Sequence, residues 1–131
     1  MHTFTQVTIV MANIPGQLAK VGDTMRGAGV NISAISCSEG KDQSAVHMIV
    51  DDVDSAKTAL KGMGTVSTSE VIGFKMKNKP GAIGMIGRAC AAAGVNVRNM
   101  YATTCGPEAM VFVCVDDIAK AKAAEVWRDV V

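Results

Sequence analysis

Two short stretches carry the residue types best suited to holding a small polar molecule: Asn13-Ile14-Pro15-Gly16 and Asn78-Lys79-Pro80-Gly81. Each precedes an apolar run with helical spacing, so each predicts a tight turn that opens a helix. The first-turn N–H groups of such a helix lack intrahelical acceptors and carry partial positive charge, which suits a carboxylate. Gly16 and Gly81 leave room for close approach to the backbone. The side-chain amides of Asn13, Asn31, Asn78 and Asn96 can donate and accept, as a molecule with both an ammonium and a carboxylate requires. The plainer reading stands beside this one: Pro15-Gly16 and Pro80-Gly81 as strand-to-helix corners, Asn31 and Asn96 as residues that tolerate the bend after a glycine.

Other chemistry finds less support. Cys37, Cys90, Cys105 and Cys114 form no Cys-x-x-Cys pair for zinc, redox exchange or a cluster, so free thiols in a reducing cytoplasm are expected. His2 and His47 are too few and too far apart to suggest a metal centre, and no Ser, His or Cys suggests a nucleophile–base pair. No cofactor is expected. Thirteen Lys and Arg against twelve Asp and Glu give a formal charge of +1, which provides no field for nucleic acid or anionic lipid. No uninterrupted apolar run reaches about 18 residues, and no basic segment precedes an apolar one at the start. These features predict a soluble cytoplasmic protein.

The elements around the two turns repeat at a constant offset of 65. Asn13, Pro15 and Gly16 recur as Asn78, Pro80 and Gly81; Ala28-Gly29-Val30-Asn31 recurs as Ala93-Gly94-Val95-Asn96; Asp51-Asp52 recurs as Asp116-Asp117. Two small units in tandem therefore fill the chain, with boundaries at residues 1–70 and 71–131. In the first, residues 5 to 12 alternate as a strand. Leu18, Val21, Met25 and Ala28 then space a helix, with Pro15 in its first turn, Asn13 or Ile14 as its cap and Gly29 at its end. A parity switch near Ser33-Ala34 predicts a β-bulge in the second strand. Ser38 to Ser44 forms a polar hairpin loop, Val46 to Val50 a third strand, Val53 to Leu60 a second helix and Thr65 to Glu70 a fourth strand. The last passes without a linker into 71 to 77.

The second unit repeats this order: helix 81 to 93, strands 96 to 103 and 109 to 115, and helix 118 to about 126. Its final strand, Trp127 to Val131, is thin, which leaves it short, frayed or completed by a neighbour. Each unit reads βαββαβ. The fold class is thus α+β, two ferredoxin-like units with helices on one face of an antiparallel sheet. Both parities of strands 45 to 50 and 109 to 115 are apolar, which predicts that the face opposite the helices is covered as well.

The doubled Asn-x-Pro-Gly turn, the Ala-Gly-Val-Asn-Ile or Ala-Gly-Val-Asn-Val strand start and the paired Asp resemble the ACT domain, over residues 6 to 126. The chain is similar to the stand-alone tandem ACT proteins of bacteria and archaea. The resemblance implies an effector, usually an amino acid, held where two ACT domains meet, between the turn of one and the second strand of the other. The ligand-binding residues it points to are Asn13, Pro15, Gly16, Leu18, Asn31 and Ile32, and Asn78, Pro80, Gly81, Ile83, Asn96 and Val97. Leu18, Ile83 and Met100 would line a side-chain pocket and Tyr101 its polar rim. It further implies a non-catalytic homodimer that signals to an enzyme of amino-acid metabolism or a transporter. The alternative is a constitutive interaction subunit with no small ligand. The two sites should differ, since Tyr101, Thr103, Thr104 and Gly106-Pro107 stand where the first unit has Ser36, Ser38, Glu39 and Lys41-Asp42.

Overall fold

A computed structural model describes residues 2–124 and 127. In chain order these form β1 (His2–Ala12), α1 (Gln17–Gly27), β2 (Ile32–Glu39), β3 (Gln43–Val50), α2 (Val53–Leu60), β4 (Thr65–Lys77), α3 (Ala82–Ala93), β5 (Val97–Thr104), β6 (Glu108–Val115) and α4 (Ile118–Ala123). Apart from Trp127, the expected last strand lies outside the described residues. The chain divides into two compact units: Thr5–Ser69, and the described residues on either side, 2–4 with 70 onward. Both divisions fall inside a strand, so β1 and β4 each carry the backbone from one unit to the other.

In the unit Thr5–Ser69, β3 pairs antiparallel with β1 and with β2. The residues leading into β4 run along the end of β1, so closely that a side chain at Gly64 would strike the Val10 carbonyl. Alternation along β1 sends Val7, Ile9 and Met11 to the helix side. There they meet Val21 and Met25 of α1, Ala56 and Leu60 of α2, and Val46 and Met48 of β3 in one buried apolar cluster. A register shift between Ile32 and Ala34 places the expected bulge at Ser33. The second unit repeats these features: β6 pairs antiparallel with β4 and β5, with a shift between Val97 and Asn99. Its cluster joins Ile72, Phe74 and Met76 to Ile86, Cys90, Val111 and Val113, and takes in Trp127, whose indole N–H donates to the Ala121 carbonyl at 2.8 Å.

Residues 2–4 are part of this second unit. Phe4 lies edge-on to Phe112 on the sheet face away from the helices, with ring centroids 5.4 Å apart and planes at 82°. Tyr101 flanks Phe112 from the other side at 5.5 Å. Gly73 sits opposite Phe112 in register, and the Phe4 ring occupies the place of the absent side chain: a Cβ there would lie 2.5 Å from it. The corresponding face of Thr5–Ser69 carries a polar cluster beside Ile49 and Val10. Thr8 and Ser36 flank His47 in register, Thr8 Oγ1 lies 2.8 Å from His47 Nδ1, and Gln6 Nε2 lies 3.4 Å from it. Gln6 is 2% exposed, so its hydrogen bond to His47 offsets part of its desolvation.

Candidate ligand-binding site

The structure changes how the two turns are built. Gly16 and Gly81, both at φ 90°, are the N-caps of α1 and α3, and neither helix has a side-chain cap. Pro15 and Pro80 therefore precede the helices and do not enter their first turns. Asn13 is used elsewhere: its backbone N–H donates to the Asp42 carbonyl at 3.0 Å and its side-chain amide to the Gly40 carbonyl at 3.2 Å. Asn78 does the same to Pro107, at 2.8 Å, and Gly106, at 3.3 Å. Each Asn ties its turn to the adjacent hairpin. The cap position then needs a positive φ, which glycine adopts without cost.

Asn31 and Asn96 lie at the far ends of the helices. The backbone N–H of Asn31 donates to the Asp51 carboxylate at 2.9 Å, and its carbonyl accepts from the Asp51 N–H. Asn96 and Asp116 repeat the pair. The second Asp of each motif caps the next helix: Asp52 accepts from the Ser55 N–H at 3.0 Å and Asp117 from the Lys120 N–H at 3.0 Å. The Ser55 backbone and hydroxyl hold the Asp52 carboxyl below the usual carboxylate range. The paired Asp thus anchors a strand start and a helix start.

A cleft of about 360 Å³ opens in the second unit at the start of α3. It brings together Asn78, Pro80, Gly81 and Ile83 of the predicted residues with Met76, Lys77, Lys79, Ala82, Gly84, Ala102, Thr103, Thr104 and Ala109. Asn96, Val97 and Tyr101 are not in its lining. Asn96 and Val97 lie at the beginning of β5, whereas the cleft meets its end; Tyr101 precedes Ala102 of the lining but faces Phe112. Tyr101 packs on Phe112, and burial, with Cys114 beside it, pushes its phenol up to about 12. Lys79 accepts the Ala82 N–H at its carbonyl, 3.2 Å away, so one first-turn amide is already taken. Thr104 Oγ1 donates to the carbonyls of Glu108, at 3.0 Å, and Gly106, at 3.3 Å.

In the unit Thr5–Ser69, a depression beside the corresponding turn is lined by Ala12, Gly40, Lys41, Asp42 and Gln43. Asn13, Pro15, Gly16, Leu18, Asn31 and Ile32 are outside that lining. Leu18 is 55% exposed on the first turn of α1, as Ile83 is 54% exposed on α3. Sequence reasoning missed the end of β5 as a wall. The signal was available, because a βαβ path brings the end of the second strand level with the turn after the first. Among the described residues no group of three His, Cys, Asp or Glu could hold a metal ion. No helix among them is long and apolar enough to cross a membrane.

The family profile described as an ACT domain pair matches residues 2–130. A crystal structure of a protein from Bacteroides thetaiotaomicron is similar at 28% identity and a TM-score of 0.85, over 97% of this chain and 88% of that one. The ligand-free regulatory subunit of aspartate kinase from Thermus thermophilus is similar at 18% identity and a TM-score of 0.74, over 99% and 95%. The corresponding subunit from Thermus flavus gives 19% and 0.68, over 96% and 89%. No curated protein matches the chain.

Proposed function

This chain belongs to the ACT domain family as a pair of such domains, and on that ground we propose that it is a non-catalytic regulatory protein that binds an amino acid. The observation that carries the reading is the cleft at Gly81, where an open helix start meets an apolar floor. The donors at the head of α3 and Lys79 suit a carboxylate, and Met76, Ala82, Ala102 and Ala109 suit an apolar body. Aspartate kinase regulatory subunits of the same fold support a regulatory role. The proposed target is a separate cytoplasmic enzyme of amino-acid metabolism or a transporter.

Asn78 shapes the site through the hairpin, Gly81 gives access to it and Ile83 borders it. Asn13, Pro15, Gly16, Leu18, Asn31 and Ile32, with Asn96, Val97 and Tyr101, belong to the proposal only as residues that a ligand held between domains of a homodimer would reach. Transmission requires that the ligand favour one arrangement of domains or subunits over another.

A thermal-shift screen against the twenty amino acids tests the reading, with hits titrated calorimetrically and repeated in Gly81→Ala. A selective, saturable rise in Tm that the variant weakens is expected by linkage. No rise with any amino acid refutes it. The second reading, a constitutive interaction subunit, is favoured by the exposure of Leu18 and Ile83 at equivalent positions. It predicts a co-purifying enzyme and no shift.

A further inference from the structure

We infer that the cleft at the start of α3 takes a small carboxylate with an uncharged aliphatic side chain, and that the equivalent turn of Thr5–Ser69 takes none. The inference rests on the ligand-binding reading and names the class of ligand. The floor decides it. Met76, 7% exposed, belongs to the buried cluster of this unit, and Ala82 and Ala109 pack against that cluster, so the floor of the cleft is a continuation of the core. Ala102 and the flank of Ile83 extend it.

No Asp or Glu is among the lining residues. A cationic side chain would therefore enter without a counter-charge. Lys77 also lines the cleft, but it follows Met76 on the strand, and alternation turns its side chain to the other face. Lys79 then stands as the cation beside the helix start. One carboxylate can use it together with the first-turn amides; a second, on an acidic side chain, would lie against methyl groups. The Thr104 hydrogen is directed to the Glu108 and Gly106 carbonyls, which leaves the oxygen as an acceptor for an ammonium. An amino acid and its 2-oxo acid share the carboxylate and the aliphatic chain, and both fit this description. At roughly 30 Å³ per water, the cleft holds about a dozen waters, which suits a ligand of about six to nine non-hydrogen atoms.

The same positions in the other unit keep the glycine cap and the methionine but change the walls and the charge. The offset of 65 places Gln17 for Ala82, Glu39 for Thr104, Ser44 for Ala109 and Ile14 for Lys79. Two apolar walls become polar, the cation becomes a hydrocarbon, and a carboxylate replaces the Thr104 hydroxyl, so a ligand carboxylate would enter beside a like charge with no cation to offset it.

Calorimetric titration of the full chain tests this with L-leucine, L-valine, L-methionine and 4-methyl-2-oxopentanoate, against L-glutamate, L-lysine and L-arginine. One aliphatic ligand per chain is expected, with affinity falling about fourfold for each methylene removed between leucine and valine. Thr104→Glu imports the residue of the other unit and should weaken binding of the 2-oxo acid, which has no ammonium to meet the new charge, about tenfold or more. Ala109→Ser, which changes the wall by one hydroxyl, should weaken it several-fold with an unchanged circular dichroism spectrum, and decides the matter if Thr104→Glu fails to fold. Glu39→Thr should leave affinity unchanged. Preference for a charged amino acid, two ligands per chain, or full affinity in Ala109→Ser overturns the inference while the amino-acid reading stands. Binding of the 2-oxo acid alone upholds the inference and removes the amino-acid reading. Binding of nothing overturns both.

Discussion

Replacing Gly73 by alanine tests how residues 2–4 complete the second unit. The new Cβ would lie 2.5 and 2.6 Å from two Phe4 ring carbons and 3.1 Å from Phe112. Carbon atoms settle at about 3.5–4.0 Å, so the Phe4 ring has to move by about 1 Å. That sacrifices an edge-on aromatic pair worth about 0.5–1.5 kcal/mol and adds overpacking strain of about 1–3 kcal/mol. A net loss of about 1–3 kcal/mol is expected for Gly73→Ala. With Phe4→Ala already present only the 3.1 Å approach to Phe112 remains, which that ring relieves by moving a few tenths of an ångström into the vacated space, and alanine in a strand then stabilises by about 0.5–1 kcal/mol over glycine. The sign of the Gly73 effect therefore reverses, with a coupling of about 1.5–4 kcal/mol across the double-mutant cycle, well beyond the ~0.5 kcal/mol seen for independent sites. Urea denaturation followed by the emission of Trp127, the single tryptophan, reports on this unit, because the ring is 3% exposed and 6.0 Å from Phe74. Additive effects, or a destabilising Gly73→Ala in both backgrounds, would refute the account of Phe4 as the cover of Gly73.

Gly16→Ala and Gly81→Ala should each lower stability by about 1–2 kcal/mol, because both glycines sit at φ 90° with open space around them; calorimetry should find ligand affinity reduced in Gly81→Ala and intact in Gly16→Ala. Burial lowers the His47 pKa, so the native state binds fewer protons than the unfolded one between the two pKa values. Its stability contribution is present above about pH 6.5 and lost as pH falls through that window. Denaturation curves from pH 7.5 to 5 should show this fall in the native protein and a flatter profile in His47→Asn; identical profiles would remove His47 as the cause.

The offset of 65 made most of each unit legible, since a turn, a helix, a bulge and a paired Asp recurring in register leave few other foldings. Residues that act through neighbours in sequence read well: the bulge lies at Ser33, and Gly29 ends its helix region at φ 69°. Residues whose partners come from a hairpin did not. Asn13 has the composition of a cap, but its amide is claimed by Gly40, and only the β2–β3 pairing brings that carbonyl within reach. Asn96 and Tyr101 read as site residues because of their type, whereas the walls of the cleft, Ala102 and Ala109, are too bland to stand out in a sequence. The placement of Phe4 was illegible for a third reason: its partners, Gly73 and Phe112, are far along the chain, and nothing local to Phe4 specifies them.

That placement also bears on biosynthesis. A ribosome releases residues 2–4 long before the strand they accompany, and everything from residue 70 onward, about 60 residues, follows at roughly 5–20 residues per second. For several seconds the nascent chain can complete Thr5–Ser69 while its leading end waits with unpaired backbone groups and an exposed Phe4. On a crowded polysome the waiting end of one nascent chain can join the later segment of its neighbour, and the interval grows when translation slows. Yield of correctly closed units should therefore depend on the rate of translation between codons 70 and 112, where the partners of Phe4 are made.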